Sequence, residues 1–397
     1  MKTSILFVTT SSNWPLTDGK RQRTWFLIEA LSKKFNVDLL FIGYQGEKEQ
    51  IEKSNNSINR FFFFDLSDSN FPELGYPLFL LSKKKKNTNK FFFQQIHNFF
   101  SELNQEHRYS FIFSRYLWPL LLVSISKEIK VICDIDDVYF ETQKSRIQKE
   151  TNFLRKLKLQ LLFFLGTKKV KELLNRIDIS IIVKESDRSF FGLNKAVCLP
   201  NLPFGFYIDK GLLPNENFHI GSLTPLKFGF IGKLSYRPNY QGLIDFINRI
   251  WNPLMRNKSE ARLVIAGSGE IPEILRKTIA NSKNIDLFGF VESANIFWDQ
   301  ISVLVVPIAE GGGSNIKVAE AFIHGKIVLA HPFASRGYED FKDSGYLILP
   351  KNNEEWIESM NTIKIPSLGD RQFLSAKSNK LFDLEHWNQI LLNAVSQ

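Results

Sequence analysis

The chain has 397 residues, 44% of them apolar, a formal net charge of +10 and two cysteines. That length suits two domains with buried cores, and the composition excludes a disulfide scaffold, a metal knuckle and a glycine- or proline-rich polymer. The surplus of cations fits an acidic partner, namely a phosphate-bearing ligand, an anionic membrane or a nucleic acid, although joint enrichment in Lys, Asn, Ile and Phe is also what an AT-rich genome would give.

The first residues, MKTSILFVTTSSNWP, hold a short apolar run that polar and charged residues follow at once, which predicts a β-strand and not a signal peptide. No apolar run in the chain approaches the ~20 residues that span a bilayer. The expected location is therefore cytoplasmic, with peripheral attachment at the inner face of the membrane. Strands are predicted at ILFVTT, VDLLFIG, NRFFFFD, SFIFSR, KVICDID and ISIIVK, with RTWFLIEALSKKF carrying helical spacing between the first two.

Two segments of this half pair cations with bulky apolar side chains. FLLSKKKKNTNKFFF covers 79–93, and between Lys144 and Lys171 nine basic residues face a single Glu150, interleaved with Phe153, Leu154, Leu157, Leu161, Leu162, Phe163, Phe164 and Leu165. Such segments suit an anionic membrane surface; the plainer reading is an amphipathic helix with a solvated face.

A Pro-, Gly- and Asn-rich stretch, DKGLLPNENFHIGSLTP, reads as a linker. Beyond it, strands are predicted at KFGFIG, ARLVIAG, IDLFGF, SVLVVPI and KIVLAH, separated by helical stretches such as YQGLIDFINRIWNPLMR. This alternation predicts α/β layers on parallel sheets, arranged as two Rossmann-like domains. The expected division is 1–205, a linker at 206–225, a second domain at 226–375, and a helical stretch at 376–397 packing back towards the first domain.

GGGSNIKVAEAFIHGK at 311–326 directly follows the strand SVLVVPI. In open α/β sheets ligands bind beyond the carboxyl ends of strands. Gly311, Gly312 and Gly313 would let a ligand approach the backbone; Ser314 or Asn315 would cap the helix that begins at Ile316, and Gly325 would end it. Amides at the helix start, with Lys317 in its first turn, would hold a diphosphate. Glu320, one turn on, could accept hydrogen bonds from a vicinal diol such as a ribose. The plainer reading is a tight strand–helix turn with Glu320 solvated. FGFIGKLSYRPNYQGLIDF adds Gly232, Lys233 and Arg237 on the loop after the first strand of this half, and LVIAGSGE adds Gly267 as part of a G-x-G fragment.

In order and spacing, F-x-G-x-L-x-Y-x-P-N at 230–239, R-L-V-I-A-G-S-G at 262–269, G-F-V at 289–291 and P-x-x-x-G-G-G-S-N-x-K-x-x-E-A at 307–321 resemble the donor-binding domain of GT-B glycosyltransferases of family four. The first half resembles that family more loosely, through Asp18-Gly19, DIDDVYF at 134–140, DISIIVKESDR at 178–188 and LPN at 199–201.

The resemblance implies two domains facing across a cleft. It implies a retaining transferase that takes a nucleotide-diphosphate sugar as co-substrate and passes the sugar to a glycan or lipid-linked acceptor, with no cofactor and no metal. Glu320 matches the second glutamate of the family's Glu-x7-Glu motif, while Gly312 stands where the first is expected and Glu310 lies two residues early. Lys233 stands at the family's phosphate-binding arginine. The lysine that partners that arginine is missing near Asn239, and Arg237 and Lys317 are the candidates to compensate.

Asp136 or Asp137 is expected to contact acceptor or sugar, helix-capping carboxylates being the alternative. Near the acceptor the resemblance also places Asp18 and Gly19, with Arg21 or Arg23 pairing an acceptor phosphate. Expected catalytic residues are thus Glu320, Lys233, Asp136 and Asp137. Expected donor contacts are Gly232, Lys233, Arg237, Gly267 and the run from Gly311 through Lys317, with Glu320. A catalytically silent sugar-nucleotide binder and a sugar-nucleotide 2-epimerase are the alternatives. No helix-turn-helix, zinc or RNA-recognition motif is visible, so no nucleic-acid partner is expected.

Overall fold

A computed structural model describes the chain except residues 1, 15, 17–18, 53–56, 68–85, 124, 127, 137–146, 148–149, 194, 204–225, 258–259, 312–313, 365, 367 and 397. The linker expected at 206–225 and most of the basic-aromatic segment 79–93 lie outside the described residues or have no described side chains. The chain forms two compact units, Met1–Pro200 with Leu384–Gln397, and Asn201–Asp383.

In the first unit the apolar runs form β1 (Ser4–Thr9), β2 (Asn36–Gly43), β3 (Arg60–Asp65), β4 (Phe111–Arg115), β5 (Lys130–Ile135), β6 (Ile179–Ile182) and β7 (Ala196–Cys198). They make one parallel sheet of order β3-β2-β1-β4-β5-β6-β7. β1 and β2 are buried along almost their whole length because helices cover both faces, which is why they read as unbroken apolar runs. Leu6, Val8, Leu40 and Ile42 pack with Ile96, Phe100 and Leu103 of the Lys86–His107 helix on one face. Phe7 stacks on Phe113 with ring centroids 5.0 Å apart. The closing helix, Leu384–Ser396, sets Trp387 6.2 Å from the Phe26 ring, and the Trp387 indole N–H donates to the Pro200 carbonyl at 2.8 Å.

The second unit holds β8 (Lys227–Ile231), β9 (Arg262–Ala266), β10 (Ile285–Gly289), β11 (Val303–Val306), β12 (Ile327–Ala330) and β13 (Leu347–Ile348). Their parallel sheet runs β10-β9-β8-β11-β12-β13. Both units therefore have doubly wound order, in which the chain reverses its direction of winding between the first and fourth strands. In the second unit that switch point lies between β8 and β11, whose carboxyl ends open the crevice where such sheets bind ligands.

Candidate active site

The loop after β8 is built around Gly232, whose φ of +157° disfavours any L side chain. Lys233 follows it and is exposed, while Leu234 is fully buried and anchors the loop. Asn239, buried in the first turns of the Arg237–Phe246 helix, donates its side-chain amide to the Lys233 carbonyl at 2.9 Å. The backbone of the β9 loop is laced to this one, the Leu234 N–H donating to the Ser268 carbonyl at 2.7 Å and the Gly232 N–H to the Ala266 carbonyl at 3.2 Å. On its other side the Gly267 N–H donates to the Gly289 carbonyl at the end of β10 at 2.7 Å. A Cβ at Gly267 would lie 1.7 Å from the Gly232 carbonyl oxygen, so this approach is open to glycine alone. Arg237 is exposed at the start of its helix.

Across the switch point, β11 leads through Pro307 and Glu310 to Gly311, buried with φ +126° and facing the Tyr236 hydroxyl and Pro238. Gly312 and Gly313 lie outside the described residues. Ser314 accepts a hydrogen bond from the Asn201 amide at 3.0 Å and is hydrogen-bonded to Tyr338, whose hydroxyl burial raises well above its usual range. Asn315 occupies the N-cap position of the Ile316–Ile323 helix in an extended conformation. Its side chain makes no capping bond; it donates instead to the Ala334 carbonyl at 3.1 Å. The amides at the helix start are thus left without a side-chain cap, in the arrangement that suits an anion. At the other end Gly325, with φ +60°, donates to Phe322, and Lys326 donates to Ala321. This paired closure is what a left-handed residue after a helix permits.

The structure brings Lys317 and Gly232 together. Lys317 runs inward, 8% exposed, and its Nζ sits 3.3 Å from Asn239 Oδ1 and 4.3 Å from the centroid of the Phe230 ring. A Cβ at Gly232 would stand 2.7 Å from that Nζ, so the bare Gly232 backbone keeps the ammonium beside the β8 loop. Burial pushes the Lys317 ammonium down to about 7, with Glu320 acting in the opposite sense. Burial likewise pushes the Glu320 carboxyl up to about 7, with Lys317 opposing it, although Glu320 retains some exposure. The site therefore holds one buried cation and one partly open carboxylate a single turn apart on the same helix. A strongly polar ligand would supply the charge partners that burial denies them.

In the first unit, Asp18 and Asp137 lie outside the described residues. Gly19 begins the Gly19–Ser32 helix, and Arg21 is partly buried on its first turn. Arg23 is not a free cation awaiting an acceptor phosphate. Its Nη2 meets Asp134 at 2.7 Å, its Nε donates to the same carboxylate, and its Nη1 donates to the Leu199 carbonyl at 3.0 Å. Arg115, absent from the sequence-based expectations, completes the cluster by bonding Asp134 and Asp136, each at 2.6 Å. Asp136 is thereby held by Arg115 at the carboxyl end of β5, and two arginines balance two carboxylates. The one sequence signal for Arg115 was an arginine ending the apolar run FIFSR. Tyr116 beyond it adopts φ +74°, which is uncommon for a bulky residue, and lies under the Arg115 guanidinium at 4.0 Å. Asn201 and Tyr338 were likewise not expected; only the LPN motif pointed towards Asn201.

Two parallel doubly wound sheets, with a glycine-lined switch point in the second, are those of a GT-B fold. Residues 225–363 match the family model described as Glycosyl transferases group 1, so the second unit carries a domain of that kind. An uncharacterized protein in the cps region of Klebsiella pneumoniae is 25% identical over 135 residues, which is 30% of this chain and 35% of that protein. The aligned stretch thus spans about a third of that relative. Among solved structures, Anabaena HepE in complex with UDP and glucose superposes with a TM-score of 0.62 at 14% identity, covering 99% of each chain. A variant of S. aureus TarM in complex with fondaparinux, alpha-GlcNAc-glycerol and UDP gives 0.65 at 11% identity, covering 100% of each. At these identities the likeness shows the fold.

Proposed function

We propose that this chain is a retaining glycosyltransferase of the hexosyltransferase type. It would take a nucleoside-diphosphate sugar at the second unit and pass the sugar to a hydroxyl of a lipid-linked or growing surface glycan. The observation that carries the reading is Lys317 beside Gly232 and Asn239, with Glu320 one turn further on. The sequence lacks a lysine at Asn239, yet an ammonium reaches that asparagine from another helix. Lys317, Lys233 and the uncapped amides of the Ile316–Ile323 helix would receive the diphosphate, and Glu320 the ribose diol. UDP in structures of HepE and TarM, and a relative in a cps region, support the donor class and the surface-glycan setting.

In the transfer, negative charge grows on the departing diphosphate while the sugar takes on oxocarbenium character. Preorganised amides and an ammonium beside that diphosphate favour the transition state over the ground state. With Gly312 where a first glutamate is expected, no enzymic nucleophile is called for. The leaving phosphate would accept the acceptor's proton as the new bond forms on the same face of the sugar. Arg237, Gly267 and Gly311 complete the proposed donor contacts, and Asp136 and Gly19 are the described candidates on the acceptor side.

Titration calorimetry with UDP-, GDP-, dTDP- and CMP-sugars tests the donor, followed by acceptor-dependent release of the free nucleotide. Binding of a UDP-, GDP- or dTDP-sugar that is lost in Lys317→Met supports the site, whereas binding of the CMP-sugar alone, which has no diphosphate, counts against it. Binding equally strong in Lys317→Met and Glu320→Gln overturns it. Binding without turnover on any acceptor would favour a silent sugar-nucleotide binder, a reading that the glycine at 312 keeps in play.

A further inference from the structure

The Phe153–Leu174 helix shows two different faces. Asn152 caps its start by accepting the Arg155 N–H at 3.0 Å. On one side Gly166, Val170 and Leu173 are buried, and Leu173 packs with Leu120, Val131 and Cys133. The other side carries Phe153, Leu154, Leu157, Leu161, Phe164 and Leu165, all exposed, Leu154 by 75% and Phe164 by 68%. Their spacing of three and four residues makes a continuous stripe along one face. A soluble surface seldom presents so many large apolar side chains in a line unless something covers them.

The charge around the stripe narrows what covers it. Exposed Lys158 flanks it, and exposed Lys168 and Lys171 extend its line beyond Leu165. Glu150 is taken up by Arg155 at 3.2 Å, which leaves Glu172 as the one acidic residue of the helix itself. A second copy of this face would bring lysines against lysines, whereas a sheet of lipid phosphates would meet them with opposite charge. Among the described residues no helix is long and apolar enough to cross a membrane, so this helix would lie in the plane of the surface.

We propose that the exposed face of residues 153–171 docks on an anionic phospholipid bilayer, its apolar stripe entering the headgroup–acyl boundary and its lysines engaging lipid phosphates. This inference does not rest on the donor-site reading. The test is co-sedimentation of the full chain with vesicles of phosphatidylcholine alone or mixed equally with phosphatidylglycerol. The wild type should pellet with the mixed vesicles and be released as salt rises.

Replacing Leu157, Leu161 and Phe164 together by glutamine, and separately Lys158, Lys168 and Lys171 by glutamate, should each lower partitioning roughly tenfold or more. Circular dichroism and the melting temperature should be unchanged in both, since none of these side chains is buried in the unit. The proposal is overturned if either variant pellets as the wild type does. It is also overturned if the wild type ignores anionic vesicles; a dimer that the glutamine variant dissolves would then name a second copy as the occupant of the stripe.

Discussion

Lys317 is an expensive residue to keep where it is. Its ammonium is buried with one amide oxygen and one aromatic face for company, and burial has lowered it from 10.5 to about 7. Between those values the unfolded chain binds a proton that the folded chain does not, so this group makes stability rise with pH across that window. Glu320 has moved the other way, from 4.5 to about 7, so its contribution to stability falls as pH rises through that interval. Both shifts oppose folding, as expected of groups held for a ligand.

Lys317→Met is therefore expected to raise the melting temperature, by roughly 2–4 °C per 1 kcal/mol recovered, while weakening donor binding tenfold or more. Calorimetry against a thermal melt of the same sample checks both signs. A pH dependence follows from the same pair. A diphosphate needs the ammonium protonated and a ribose diol needs the carboxylate ionised, so affinity for UDP-glucose should peak near pH 7 and fall on either side. The diester diphosphate of UDP-glucose does not itself titrate there. Lys317→Met should flatten the alkaline limb and Glu320→Gln the acidic limb; a flat profile in the wild type would remove both residues from the donor site.

The strand-end loops impose their own conditions, and two glycines separate backbone strain from close approach. Gly267 has φ +155° and lies where a methyl group would meet the Gly232 carbonyl, and both partners are backbone. Gly267→Ala should cost about 3 kcal/mol in denaturant unfolding and displace the loop that carries Lys233. Gly289, on the neighbouring edge strand, has φ +68° with open space around the missing methyl. Gly289→Ala should cost only about 1 kcal/mol.

Elements of this kind were largely legible in the sequence. β8, β9, β11 and β12 are short apolar runs bounded by glycine, proline or charge, and the helix after β11 declares both its ends. β7 and β13 were not expected, because Ala196–Cys198 and Leu347–Ile348 are too short to show any periodicity. The path of the Lys317 side chain was hidden for another reason. It depends on the missing side chain at Gly232, on a separate strand-end loop, and no local pattern encodes that meeting. The ion pairing of Arg23 was hidden for the same reason, since Asp134, which it bonds directly, lies 111 residues away on β5.

At the scale of the molecule, the chain leaves the first unit at Pro200 and returns to it at Leu384. The returning helix belongs to the first core through Trp387, which is 2% exposed, beside Phe26, and through Leu391 and Val395, both fully buried. The Trp387 N–H also satisfies the carbonyl of Pro200, the last residue before the chain departs. The final helix thus closes the unit at the point where the chain leaves it. Burial of that tryptophan alone is worth about 3–5 kcal/mol against alanine, a large share of the 5–15 kcal/mol that stabilises a typical domain. Ending the chain after Asp383 should therefore destabilise the first unit selectively. Hydrogen exchange would show it: amides of Phe26, Leu27 and Ile28 should lose protection, while those of β8, β9 and β11 keep theirs and UDP still binds. Equal loss in both units would mean that the helix stabilises the molecule through something other than the Trp387 contact. Unchanged protection at Phe26 would mean that the first core closes without it.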